Sequence, residues 1–548
     1  MSFRLSGSSR NLLEEDSRSK FRIDDLPDDI LAQVFQWHAF LAKHPRVWAL
    51  VTPHVCRKWR DITLAHPRLW SQIDLRSAPR IHEDLVHAML RRSKQAPLSV
   101  VYDKHKRALA SFSTILEEAN NRLRKLRVVD GLQPLYQLLQ ACSLPQLRSL
   151  HMGGVRFVCG VIKTLPVDIT RLEELSLDLV MWDWEDLKTC TSLESLTIRH
   201  IHAHAHFPRY SLREAHRMLH KMMKLTHLQL LILWDSQTID HGVVASLPVL
   251  ESVELGYDPL GCSALLDAMD FPAHASIRLR TVASNVAPDK WDREKHAQFW
   301  SPVSRKITRI TTPIRTVLLQ TDSRECDVVH FHGWACASYR PWPVGMSPRI
   351  GTYEFANMHG SPLISLPIPC LENGETVVES FAALPTSAYA TNLWLAKIPG
   401  SMSLDALCRV CTCMPEVEEL HLLSWSLEDV ARLLRTSPAT TTPSRDTSPV
   451  LFPKLRQLVL TDSPPNEGLS QYGMVTIRVD TGNGGGGTDS QPNAWTPVRL
   501  ALLERMRLYP ELPRLRVEVW NGLVSTIEMA GGALRDIVSF RELNERGH

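Results

Sequence analysis

LRKLRV (123–128), LRSLHM (147–152), LEELSL (172–177), LESLTI (193–198), LTHLQL (225–230) and LESVEL (250–255) are six renderings of one phrase. An apolar residue is followed by two variable ones, a leucine-like residue, one variable residue and a second apolar one. Successive copies begin 24, 25, 21, 32 and 25 residues apart, a regularity that chance does not maintain. The closing apolar-variable-apolar triplet has the two-residue alternation of a strand that buries one face. Further copies start at Ile314 (IRTVLL), Val417 (VEELHL), Leu455 (LRQLVL) and Leu512 (LPRLRV). Helical patterns lie between them: SLREAHRMLHKM from Ser211 and SLEDVARLLR from Ser426 both open with a Ser-x-x-acid capping box. Each unit is therefore strand, turn and helix. One such unit cannot bury its own apolar face, so the units must stack side by side with their strands parallel.

A period of roughly 20 to 29 residues is that of leucine-rich repeats. The predicted fold class is accordingly α/β: an N-terminal all-α module followed, over residues 123–520, by a leucine-rich-repeat-like αβ solenoid with a curved parallel sheet. CDVVHF from Cys326 and ATNLWL from Ala390 serve as degenerate copies across the middle. Three stretches break the phrase and are expected to be irregular inserts: 281–312, rich in Lys, Arg and Trp; the Ser/Thr/Pro run at 437–449; and the Gly tract at 481–494. Residues 521–548 form a C-terminal cap or tail.

Composition narrows the function. At 548 residues the chain exceeds what one compact core supports, and a hydrophobic share of 44% beside a charged share of 22% excludes global disorder. The net charge of +3 is too balanced for a surface built to neutralise phosphates, so nucleic acid is not an expected partner. No run reaches the roughly 18 apolar residues of a membrane span, and the first twenty residues lack the apolar stretch of a signal peptide. Eleven thinly spread cysteines, an odd number, read as reduced thiols and not as a disulfide framework. The expectation is an intracellular protein, in cytoplasm, nucleus or both.

Residues 1–21 mix Ser, Arg, Glu and Asp around few apolar positions, the composition of a disordered tail. At Asp25-Leu26-Pro27 the character changes. Pro suits the first helical position, and Ile30, Leu31, Val34, Phe35 and Trp37 then recur on one helical face. A second helix is predicted from Thr52-Pro53, with Thr52 as N-cap, carrying Val55, Cys56, Trp59 and Ile62. Its outer face is basic: Arg57, Lys58, Arg60. An apolar face beside a basic one suits a helix that docks into a partner's groove.

This segment, LPDDILAQVF and then VTPHVCRKWRDITLAHPRLWSQIDL, resembles the F-box over residues 22–75, in the form common in large fungal F-box families. The resemblance rests on the combination of Leu26-Pro27, the apolar positions of the first helix, Val55-Cys56-x-x-Trp59-Arg60 and Pro67-x-Leu69-Trp70. It implies a small helical bundle that binds the Skp-type adaptor of cullin ubiquitin ligases. Leu26, Pro27, Ile30, Leu31, Val34 and Phe35 are then contact candidates, with Val55, Cys56, Trp59, Leu69 and Trp70 at the interface or in the core. The chain departs from the family between Trp37 and Leu50, where WHAFLAKHPRVWAL is longer and more polar than the usual connection. A helix over 81–93 followed by QAPLSVVYDK, within a linking segment at 76–122, is similar to the way fungal F-box proteins enter their repeats. The alternative is that the N-terminal helices only cap the solenoid.

Other chemical signals are weak. In HIHAHAH, His200, His202, His204 and His206 alternate, and His216 and His220 sit one helical turn apart, but HRMLH lacks the Glu of a metalloprotease motif. Cys408 and Cys411 fall with Leu404 and Leu407 on one helical face, which is core packing. GNGGGG (482–487) satisfies a phosphate-loop glycine pattern without a helix after it. No catalytic residue, metal site or cofactor is expected. The resemblance implies a non-catalytic substrate receptor, whose repeats hold a target protein close to a ligase and raise its effective concentration there. The other reading is a repeat scaffold outside any ligase. His151, His200 and Trp234, on or beside the strands, are candidate target contacts.

Overall fold

A computed structural model describes residues 23–41, 51–75, 83–103, 106–129, 133–153, 169–180, 184–200, 209–235, 243–280, 292–321, 328–336, 362–371, 374–396, 402–423, 425–435, 451–461, 474–478, 498, 500–501, 516–520 and 541–542. The expected tail at 1–21 and the inserts at 437–449 and 481–494 lie outside them, as do 201–208 with three of the four alternating histidines and most of 521–548. The fold is α/β and mostly parallel in its strands. The chain divides into two units, Met1–Leu193 and Glu194–His548.

The first unit opens with helices α1 (Asp28–Leu41) and α2 (Arg57–Ala65). Five strands follow: β1 (Gln72–Asp74), β2 (Leu98–Asp103), β3 (Leu123–Val129), β4 (Ser149–Gly153) and β5 (Glu174–Asp178). They pair in that order and all in parallel. Between them run α3 (Glu83–Ser93), α4 (Lys106–Ala119) and α5 (Gln133–Ala141), with α6 (Trp184–Leu187) after β5. Parallel neighbours need a crossover, and these helices supply it.

The second unit continues the rule through β6 (Ser195–Arg199), α7 (Leu212–Leu219), β7 (His227–Ile232), β8 (Ala245–Ser246), β9 (Ser252–Tyr257), α8 (Pro259–Asp267), β10 (Met269–Asp270) and β11 (Ser276–Arg280). Strands β6, β7, β9 and β11 are consecutive parallel neighbours, and the short β8 and β10 pair separately. Helix α9 (Arg293–Ile307) then leads to β12 (Thr316–Thr321), β13 (Val328–Trp334) and β14 (Ile364–Pro369). Beyond α10 (Glu375–Ala382) come β15 (Asn392–Leu395), α11 (Leu404–Thr412), β16 (Glu419–Leu423), α12 (Leu427–Arg435) and β17 (Gln457–Thr461). The described elements close with β18 (Met474–Arg478), β19 (Arg516–Trp520) and β20 (Arg541–Glu542).

The phrase leucines build the core in register. Leu126, Leu150 and Leu175 are paired across β3, β4 and β5. Leu196, Leu228, Val253, Ile277 and Ile364 are paired across five strands of the second unit, and Val317, Leu393, Leu420 and Leu458 across four more. The opening residue of each described copy, Leu123 through Leu455, is also buried, most with no exposed surface. Helices cover this face: Tyr102 of β2 meets Phe112 of α4 with ring centroids 5.5 Å apart, and Phe331 of β13 meets Phe381 of α10 edge-on at 5.2 Å. The two expected capping boxes form at their serines, with Ser211 Oγ accepting from Glu214 N–H at 3.3 Å and Ser426 Oγ from Asp429 N–H at 3.1 Å.

Three expectations are corrected. CDVVHF is not a degenerate repeat: its strand β13 runs antiparallel to both β12 and β14. The chain passes from β11 to β12, returns through the β12–β13 hairpin, and fills the space beside β11 with β14, which is parallel to it. ATNLWL does form a parallel strand, β15, beside β12. Second, residues 281–312 are not wholly irregular, because α9 begins where Asp292 Oδ1 accepts from Lys295 N–H at 2.8 Å and buries Phe299, Val303 and Ile307. The basic surface of this helix hid its apolar stripe. Third, the helix expected from Thr52 starts at Arg57: Thr52–His54 is a 3-10 turn, extended backbone at Cys56 separates it from α2, and the Cys56 thiol is the N-cap, accepting from Trp59 N–H at 3.4 Å.

Leu228→Ala and Leu420→Ala are each expected to lower the free energy of unfolding by about 2–5 kcal/mol, against less than about 0.5 kcal/mol for Val249→Ala on the surface, as read by urea titration. A second expectation concerns acid. Burial holds the His296, His332 and His421 imidazoles below the ordinary histidine range. Below the usual histidine value of about 6.5 the unfolded chain takes up protons that these folded side chains refuse, so stability should fall as pH drops from about 7 to about 5. Denaturation midpoints measured across that range check the sign, and a rise on acidification would contradict it.

Candidate functional site

The N-terminal candidates come together on α1, α2 and the turns beside them, but not on one face. Pro27 O accepts the first helical bond of α1, from Leu31 N–H at 3.0 Å, and Asp28 and Asp29 sit in the first turn, where acidic side chains complement the helix dipole. Lys58 of α2 ties this start down, donating to Leu26 O at 3.0 Å with its ammonium 3.4 Å from Asp28 Oδ1. Leu31 and Phe35, one helical turn apart, are buried, and the Phe35 ring lies 4.8 Å from that of Trp59. Leu69 and Trp70, in a 3-10 turn at Pro67–Trp70, are also buried. Trp70 Nε1 donates to Thr63 O at 2.8 Å, and the Arg92 guanidinium stacks 4.3 Å above its ring. Half-buried Cys56 and Trp59 are spent on the cap and the ring contact.

The other candidates face solvent. Ile30, Val34 and Trp37 lie at i, i+4 and i+7 on α1 and are 38%, 41% and 65% exposed. Val55 is exposed as well, as are Ile23, Val51 and Leu64, while Leu26 is half-buried and Pro27 open. Of thirteen large apolar side chains exposed among the described residues, seven fall between Ile23 and Leu64. Such concentration of wet apolar surface marks an interaction site more than scattered single residues do. Sequence reasoning placed Trp37 in the helix but did not nominate it, nor Val51, for contact. The seven-residue step from Ile30 to Trp37 was the available signal.

The proposed target contacts fare differently. His200 is buried, with its ring edge-on to Tyr210 at 5.3 Å. Trp234 is buried against Gly261 of α8, where an added Cβ would come within 2.6 Å of the indole. Both are therefore packing residues in this structure. His151 remains partly open on β4, in register with Arg127 and Ser176 on the sheet face opposite the leucines.

That opposite face changes character along the second unit. At β12, β15 and β16 it carries Leu318, Trp394 and His421 in register, all buried, with the Trp394 and His421 rings stacked 3.8 Å apart. Here the sheet is buried on both faces. Towards β6 it becomes polar, with Arg199, Gln229, Glu254 and Arg278.

Of the other signals, His202, His204, His206 and the Gly tract lie outside the described residues, and the rest are packing positions. Cys408 and Cys411 are buried in α11, and burial pushes the Cys411 thiol well up. His216 is buried in α7 with Nε2 3.2 Å from Ala268 O. Among the described residues no group of three His, Cys, Asp or Glu side chains is placed to hold a metal ion, and no helix is long and apolar enough to cross a membrane. No protein-family model matches the sequence, and a search of the curated proteins finds no match.

Ile30→Glu with Val34→Glu should leave the thermal midpoint within about 2 °C of wild type, because both side chains already face water. Phe35→Ala, which opens a cavity beside Trp59, should cost about 3–5 kcal/mol. Thermal and urea unfolding of the three proteins distinguish outer from inner face.

Proposed function

We propose that this chain is a non-catalytic substrate receptor: an F-box-like helical module at residues 22–75 binds a Skp-type adaptor and through it a cullin, and a leucine-rich-repeat solenoid holds a target protein for ubiquitin transfer. The single observation that carries the adaptor half is the exposed apolar stripe of Ile30, Val34 and Trp37, with Val51 and Val55 of the same segment exposed as well. It lies on the helices that resemble the F-box, and a partner's groove would remove it from water. Burying three such side chains offers several kcal/mol at about 25 cal/mol per Å², enough to anchor a hot spot. Leu31, Phe35, Leu69 and Trp70 serve as the rigid support beneath it. The parallel repeats support the receptor half, since stacked strands present an extended row of side chains to a target. The transfer chemistry belongs to the partners, and the receptor acts by raising local concentration.

The test is co-purification of the full chain with a Skp-type adaptor and a cullin, beside Ile30→Glu/Val34→Glu. Wild type should retain both partners and the folded variant should lose them. If folded wild type captures no adaptor, the module is a cap for the repeats. Adaptor capture without cullin would make the protein a scaffold outside any ligase.

A further inference from the structure

On the sheet face away from the leucines, Gln229, Glu254, Arg278, Ser365 and His332 stand side by side across β7, β9, β11, β14 and β13. Arg199 of β6 donates through Nε to Gln229 Oε1 at 2.7 Å, and Gln229 Nε2 donates to Glu254 Oε2 at 2.6 Å. Arg278 lies 3.8 Å from the same carboxylate, and Arg280, two residues on along β11, also pairs with it. Two guanidiniums thus gather on one carboxylate, and a third, that of Arg199, is linked to it through Gln229. Across β14 from the two β11 arginines stand His332 and His330 of β13, whose rings stack 6.3 Å apart. Two strand spacings separate β11 from β13, about 9–10 Å, with Ser365 between them.

The frame is polar in excess of what it satisfies. Among the described residues, Arg278 Nε and His332 Nε2 are buried without a hydrogen-bond partner. His332 is 4% exposed. Buried polar atoms are nearly always bonded, so two orphans flanking one serine call for a partner that the described residues do not supply. Glu254 Oε1 in the same frame is itself without a hydrogen bond among the described residues although Arg280 pairs with it, so the two nitrogens are open to an acceptor from outside. An oxyanion seated over Ser365 would balance the surplus guanidinium charge and accept from Arg278 and from the Nε2–H tautomer of His332. Arg280, half exposed, leaves the frame open to solvent on one side.

We propose that Arg278, Arg280, Ser365 and His332 form an oxyanion site on the sheet face, which takes a carboxylate or phosphate group of a bound ligand. The site goes beyond adaptor binding and stands whether or not a ligase is assembled. The experiment is calorimetric titration of the full chain at matched chloride with inorganic phosphate and with malonate, using wild type, Arg280→Gln, His332→Gln, and, as control, Arg456→Gln, which removes a surface pair with Glu418 just before β17. Wild type and Arg456→Gln should show one saturable site of equal affinity, and Arg280→Gln, which leaves Arg278 with Glu254, should bind at least tenfold more weakly. If Arg280→Gln does not fold by circular dichroism, the comparison rests on His332→Gln, which should show the same loss. Binding of phosphate alone assigns the site to phosphorylated ligands, and binding of malonate as well to acidic side chains or chain ends. No saturable binding of either anion, or undiminished binding in the folded variants, overturns the proposal.

Discussion

Registered stacking of apolar residues along one sheet face is the constraint on which the rest of the structure depends. A parallel ladder holds neighbouring strands in phase, so phrase leucines meet their equivalents in the adjacent strand, as Leu196 meets Leu228 and then Val253. A slip of one residue would turn every leucine to the other face. The helices between strands are held by the same requirement, because they must return the chain to the same edge and cover the same face. Their serine caps mark where each one starts, but burial of residues such as Phe112 and Phe381 decides where each one lies.

The β12–β13–β14 segment shows how far the ladder tolerates deviation. Two antiparallel pairings are inserted, yet the inward face stays in phase: Gly333 is opposite Val317 and Ile364, and Phe331 opposite Leu319 and Leu366. Alternation, and not strand direction, is what the core demands. The reversal does alter the outward face, bringing His330 and His332 beside arginines of a strand remote in sequence. Its polar chemistry therefore arises from topology.

The N-terminal helices follow a different balance. Helix α1 carries a wider apolar arc than the bundle can cover, so Leu31 and Phe35 are buried while Ile30, Val34 and Trp37 stay wet. The sequence pattern puts all five on neighbouring positions of one helix and has no means of dividing them, since a helix is divided by what packs on it. The Cys56 cap was hidden for a related reason: Thr52-Pro53 has the better local signal for a helix start, and extended backbone at Cys56 overrides it.

Much of this protein is legible in its residues alone. The recurring phrase declares the strands, their inward leucines, the parallel pairing of most of them and the α/β class, because alternation and period are local properties that burial enforces everywhere at once. The buried role of Cys408 and Cys411 follows from helical spacing in the same way. Tertiary structure alone decided that β13 runs backwards, that residues 293–307 are helical, that His200 and Trp234 are packed away, and that Arg278, Ser365 and His332 are neighbours. Each of these depends on which strand or helix lies alongside, a relation between residues distant in the chain that no local pattern encodes.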